Sequence, residues 1–174
     1  MERPQLRMIH KLERLAPAKA LPSGYLCREA DESDVDNLGA LISAAFNDRW
    51  SNDRVNEVLL QNKDVPKTWV IEWEGQLVAT ASYQLIPNVF PESGWVHYVA
   101  ADSAHSGRGL GFIVSWTVVE TALREGMKDV RLTTDDWRLP AINTYLKLGF
   151  EPDMWHETHP DRWEAVLQTI AKGS

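Results

Sequence analysis

Three glycines at alternate positions stand in the run His105-Ser106-Gly107-Arg108-Gly109-Leu110-Gly111, between a strand-like and a helix-like stretch. Glycine lets a backbone approach a ligand closely, and the N–H groups at a helix start, aided by the helix dipole, attract anions. A phosphate or diphosphate suits such a turn; the alternative is a tight turn that binds nothing. The run lacks the Lys-Ser/Thr of a P-loop and the spacing of the dinucleotide fingerprint. Other chemistry-bearing side chains are sparse. Cys27 has no reactive motif around it and reads as a small core hydrophobe on a strand. A single cysteine excludes an intrachain disulfide and a multi-cysteine metal site. His156-x-x-His159 has metal-like spacing for a helix, but Pro160 interrupts that helix, and no metal is expected. Asp135-Asp136 follow a strand; they either cap the next helix, the cheaper account, or approach a substrate mouth.

A mixed α/β order must position these groups. Residues 5–10 form a candidate strand, 15–23 a linker marked by Pro17 and Pro22, and 25–29 a second strand. Ser33 reads as a helix N-cap, with Leu38, Leu41, Ile42, Ala45 and Phe46 following at helical spacing. Ser51 or Asn52 caps a second helix. Residues 69–73 and 76–86 are strands joined by a Glu74-Gly75 turn. Pro87 and Pro91 bound a loop before a strand over 95–101, whose alternation puts Trp95, His97 and Val99 on one face. A helix over 107–125 closes at Gly126, and a strand covers 129–134. Pro140 opens and Gly149 ends the next helix. A strand over 150–155 and a helix over 160–171 complete the chain.

Length and composition agree with one α/β domain. There are 174 residues, 44% hydrophobic and 25% charged, enough to bury a core without staples. Net charge is −7. Residues 1–22 hold five basic and two acidic residues, so they carry +3 and the remainder −10. An acidic body disfavours nucleic acid and anionic membranes and leans toward a cationic substrate. The longest nearly apolar run, 110–119, is too short to span a bilayer. No secretory signal is visible, and the lone thiol fits a cytoplasmic setting.

Two blocks together resemble a known family. Val99-Ala100-Ala101-Asp102-Ser103-Ala104-His105-Ser106-Gly107-Arg108-Gly109-Leu110-Gly111 is similar to the acyl-CoA-binding motif V-x-P-x-x-(R/Q)-G-x-G-x-G of GCN5-related N-acetyltransferases (GNAT). Ala141-Ile142-Asn143-Thr144-Tyr145-Leu146-Lys147-Leu148-Gly149-Phe150 looks like the family's A-I-x-x-Y-x-K-L-G-F. The resemblance covers roughly residues 24–156 and implies a GNAT fold: a mixed, mostly antiparallel central sheet with flanking helices. Residues 1–23 read as an extension carrying an extra strand, and 24–174 as the acyltransferase domain. The family closes with a strand after Phe150, whereas this chain reads as helix there.

The resemblance implies acetyl-CoA as donor and a primary amine as acceptor, a small molecule or a peptide amine, with the protein a monomer or homodimer. It implies diphosphate binding by Ser106, Gly107, Arg108, Gly109, Leu110 and Gly111. Val99, Ala100 and Ala101 would pair with the pantetheine arm in a splay between strands 95–101 and 128–134. Ser106 stands where Arg or Gln is usual, Ser103 where Pro is common, and Arg138 where many members have a cofactor-contacting Asn. Arg138 and Arg108 either supply charge to phosphates or are solvated surface residues. Tyr145 matches the tyrosine that protonates the leaving thiolate. Trp95 occupies the position of a Glu base in several members; His97, one strand step away, is either the substitute base or a core histidine. A water chain to a surface carboxylate is the third route. Trp50, Trp69, Trp73 and Trp95 either border the acceptor cleft or pack the core. The rival reading is a domain of this fold that holds acyl-CoA without catalysis.

Overall fold

The computed structural model describes residues 3–173. Seven strands are β1 (Leu6–His10), β2 (Tyr25–Glu29), β3 (Lys67–Trp73), β4 (Gln76–Ile86), β5 (Phe90–Ala101), β6 (Asp129–Thr134) and β7 (Glu151–Asp153). The helices are α1 (Val35–Phe46), α2 (Asn52–Val55), α3 (Leu110–Arg124), α4 (Leu139–Leu148) and α5 (His159–Lys172). All strands join one sheet in the order β2-β3-β4-β5-β6-β1-β7. Only β5 and β6 run parallel, linked by α3 as a crossover. This is the mixed, mostly antiparallel sheet with flanking helices expected from the sequence.

The N-terminal strand is internal. β1 lies between β6 and β7, antiparallel to both, and Leu6 and Met8 are completely buried. Residues 6–10 thus share the core of the residues that follow. After β7 the chain is helix, so the strand flanked by β6 and β7 comes from the start of the chain.

Two apolar layers cover the sheet. α3, α4 and α5 contribute Val114, Val118, Ile142, Tyr145 and Trp163 to one face, against Ala81, Tyr83, Val96, Val130 and Leu132. α1 and the turn after α2 contribute Leu38, Ile42, Val55 and Leu59 to the other, against Val70, Leu77 and Ala100. Fully burying each such side chain contributes about 1.5–3 kcal/mol.

Some local expectations change. Ser33 is not the cap of α1; it sits in a 3-10 turn capped by Asp31, and Asp34 precedes α1. Asp34 is buried because the Arg28 guanidinium grips both its oxygens at 2.8 and 2.9 Å. Residues 87–91 are not a full loop, since Ile86 already pairs with Phe90 and Pro91 lies within β5. The Glu74-Gly75 hairpin is as expected, with φ of 49° and 78°, the pair of left-handed conformations a type I′ turn requires.

Candidate active site

β5 and β6 pair only at Ser93–Asp129, Gly94–Val130 and Trp95–Arg131, and then part. The expected splay is therefore present. Past Trp95, the edge of β5 that faces β6 has backbone groups without ladder partners, which suits an extended ligand arm. A cavity of about 320 Å³ opens in this gap, lined by His97, Tyr98, Val99, Thr133, Asp135 and Tyr145 among others. A second, of about 720 Å³, lies between α1 and the start of α4, lined by Asn37, Ala44, Ala100, Ala101, Trp137 and Ala141 among others. Val99 and Arg138 line both, so the two form one continuous cleft.

The glycine-rich turn follows a short 3-10 turn, Ser103–His105, whose cap is the Asp102 carboxylate. Gly107 and Gly109 have φ of 78° and 71°, a conformation in which a side chain is strained. Gly109 caps α3, and the first helical N–H to reach a backbone acceptor is that of Ile113, which donates to the Gly109 carbonyl. The amides just before it are thus presented outward at the positive end of a 15-residue helix. Such a helix end suits an anion, and Gly107 to Gly111 lie together there. Ser106 differs from the expectation, because its N–H already donates to the Ser103 carbonyl at 3.2 Å and closes the preceding turn. The Arg108 guanidinium is exposed, weakly held by the Ala104 and Ser106 carbonyls at 3.5 and 3.4 Å.

Tyr145 projects from α4 on the face that also carries Ile142 and Leu148. Its ring packs edge-on against Phe150 with centroids 6.0 Å apart. Burial pushes its hydroxyl up to about 12, partly opposed by the nearby Arg138 charge. The phenol is therefore protonated at neutral pH and faces the smaller cavity. Helix α4 is fixed at its C-terminus by Gly149, with φ 105°. A Cβ there would sit 3.0 Å from His10 Nε2. That nitrogen instead donates to the Leu148 carbonyl at 3.2 Å, while Nδ1 accepts from the Leu12 N–H at 3.0 Å.

His97 lies in the same cavity, its ring 4.4 Å from that of Tyr98. The alternation expected along β5 breaks here. β4 advances two residues from Thr80 to Ser82 while β5 recedes three from Ala100 to His97, and Tyr98 takes φ 46°. This bulge puts Val99 with Val96 in the α3 layer and Tyr98 with Ala100 in the α1 layer. Trp95 and His97 stay on one face, but Val99 does not share it. Burial lowers His97 to about 4, so the imidazole is neutral at pH 7.

That shift has a consequence for stability. Unfolded, His97 gains its proton near pH 6.5. Folded, it stays neutral until about pH 4. The unfolded chain thus binds more protons in this window, and stability falls as pH drops from 6.5 toward 4. His97→Gln should flatten that part of a melting-temperature profile. Identical slopes in the two proteins would mean that the imidazole is solvated.

Other expected residues fall elsewhere. Arg138 is held by Asp135 at 3.2 Å and lies between the Phe46 and Trp137 rings, 4.6 and 4.7 Å from their centroids. It stands at the junction of the cavities with its charge already partnered. Asp135 does not cap α4; it accepts from Arg138 and from Gln5 Nε2 and faces the smaller cavity. Asp136 pairs with Arg162 of α5, which holds its carboxyl below the usual range. Cys27 packs into the core, and burial pushes its thiol up, away from a reactive thiolate, with the Thr117 side chain a smaller opposing influence. Trp50 stacks edge-on with Tyr98, Trp69 donates to Thr121, Trp73 meets Tyr25, and Trp95 meets Phe90. The four are packing residues. The tryptophan that lines the cleft is Trp137, 71% exposed, which no periodicity marked. Among the described residues no group of three or more His, Cys, Asp or Glu could hold a metal ion, and no helix is long and apolar enough to cross a membrane.

Comparison with known proteins agrees with this geometry. The model of the acetyltransferase (GNAT) family matches residues 35–150. Mycothiol acetyltransferase of Nocardia farcinica is 39% identical over 62 residues, 36% of this chain and 20% of that protein. N-acetyltransferase 8B of Rattus norvegicus is 32% identical over 87 residues, 48% of this chain and 38% of that protein. The matched stretch thus spans less than half of either relative. Among solved structures, a GCN5-related N-acetyltransferase from Sphaerobacter thermophilus superimposes with a TM-score of 0.70 at 21% identity, covering 87% of this chain and 50% of that one. The ribosomal-protein-S18-alanine N-acetyltransferase of Escherichia coli gives 0.63 at 17% identity, covering 73% and 77%. At such identities these likenesses speak for the fold. The family match spans the splay, the glycine-rich turn and Tyr145 alike, and the chain belongs to the GNAT acetyltransferase family.

Proposed function

We propose that the protein transfers an acetyl group from acetyl-CoA directly to a primary amine within one ternary complex. The observation that carries this reading is the Tyr145 hydroxyl, protonated and facing the gap where β5 and β6 part. Acetyl-CoA would supply an acyl group already activated as a thioester. The outward amides of residues 107–112 would hold its diphosphate. The free edge of β5 at Val99, Ala100 and Ala101 would hold its arm. Tyr145 gives its proton to the sulfur as the carbon–sulfur bond breaks and the nitrogen–carbon bond forms. The amine's proton becomes far more acidic as that nitrogen bonds to carbon, and neutral His97 is placed to accept it. The acceptor attacks as the free amine, so one that is an ammonium ion in solution gives up its first proton to water before the attack.

A second reading has an observation in its favour. β5 carries no carboxylate at the buried Trp95, and His97 is a weak base. A domain that holds acyl-CoA as a sensor or an interaction module would tolerate both. Titration calorimetry with acetyl-CoA, followed by thiol-release assays over a panel of small amines, separates the readings. The catalytic reading expects one-to-one micromolar binding and amine-dependent thiol release. Binding without release for any amine would favour the module. Absence of binding would overturn the assignment of the glycine-rich turn.

A further inference from the structure

We propose that Lys19, on the segment between β1 and β2, is a further phosphate-binding residue of the glycine-rich turn. This rests on the acyl-CoA reading above. Lys19 is exposed, and its ammonium lies 4.1 Å from the centroid of the Phe112 ring in the first turn of α3. It lies 4.0 Å from where a Cβ on Gly109 would sit. The segment that delivers it is pinned in place. Trp116 of α3 donates its indole N–H to the Ala16 carbonyl at 2.8 Å, and Leu15, Ala16 and Leu21 pack onto the core. Beyond it, the Tyr25 hydroxyl and His105 Nδ1 share a 2.7 Å hydrogen bond, which ties the end of the segment to the turn itself.

The charge at this point is unusual for the molecule. The chain carries a net −7, yet Lys19 lies against a turn that itself carries Arg108. Among the described residues, no carboxylate forms an ion pair with either. Two unpaired cations beside outward amides complement a dianionic diphosphate. The Phe112 face holds the ammonium near the turn.

The test is calorimetric titration of the wild-type protein, Lys19→Met and Lys19→Arg with acetyl-CoA and with its 3′-dephospho analogue. Removing one charge-assisted contact should weaken both ligands by about tenfold or more in Lys19→Met, with Lys19→Arg close to wild type. Because the side chain is exposed, the melting temperature should not change, which separates lost charge from lost fold. Unchanged affinity in Lys19→Met, beside normal wild-type binding, would overturn the role of Lys19 alone. A loss confined to the ligand bearing the 3′-phosphate would overturn the diphosphate assignment. A wild-type protein that binds neither ligand would overturn the acyl-CoA reading, and this proposal with it.

Discussion

Replacing Tyr145 with phenylalanine should lower turnover by about 10²- to 10⁴-fold while leaving acetyl-CoA affinity within about threefold. The change removes one oxygen. The ring keeps its edge-on contact with Phe150 and its place beside Ile142 in the core, so folding is not at stake. What disappears is a proton donor that is itself buried at the wall of the cavity. A phenol at about 12 looks poorly matched to a thiolate of ordinary acidity near 8.5. The same desolvation acts on both groups, however. A thiolate forming in that gap loses solvation too, so its pKa moves up in the same direction as the phenol's and the mismatch narrows. Arg138 tempers the rise for Tyr145. Measuring kcat by thiol release, with Kd by calorimetry on the same samples, checks the prediction. Turnover equal to wild type would move proton donation to water or another residue. A parallel loss of affinity would make Tyr145 a binding group instead.

What could be read from the sequence is what is local in it. The glycine-rich turn and α3 occupy consecutive residues, so three glycines and the strand and helix around them suffice to place an anion site. Tyr145 likewise comes with its own helix and its own terminating Gly149 in one short block. The missed features depend on distant pairings or on exceptions to periodicity. Tyr98 adopts φ 46° with no glycine or asparagine to signal a bulge, and a period-2 reading then puts Val99 on the wrong face. Lys19 reaches the turn only because Trp116, a hundred positions away, grips the linker. Its contact with Phe112 is written nowhere in the residues around it. Trp137 lines the cleft because Arg138 is stacked beside it and paired to Asp135. The basic N-terminal residues could be counted from the sequence, but not that Lys19 among them reaches the glycine-rich turn.

The placement of β1 was also beyond local reading, and it yields the largest expected effect on stability. Five residues near the start of the chain lie between β6 and β7, with Met8 opposite Leu132 on one side and Pro152 on the other. Their partners come more than a hundred positions later, and the family model begins only at residue 35. A reading that treats the segment as an appendage expects substitutions there to be tolerated. The structure predicts the opposite, and with a period of two. Met8 is fully buried among Leu6, Leu132 and Phe150, whereas Ile9 is only half-buried on the opposite face. Met8→Asp would bury a carboxylate with no partner, a cost of several kcal/mol against a total stability of about 5–15 kcal/mol. Ile9→Asp leaves its carboxylate access to water. The expected result is a Met8→Asp protein without a cooperative melt and an Ile9→Asp protein with one. Similar melts for both would mean that β1 is an optional strand. The effect should also reach the site, because His10 ends this strand and holds the Leu148 carbonyl beside Gly149. Loss of β1 frees the C-terminal end of α4, three residues from Tyr145. Any Met8 variant mild enough to fold, such as Met8→Ala, should therefore lose kcat more than acetyl-CoA affinity.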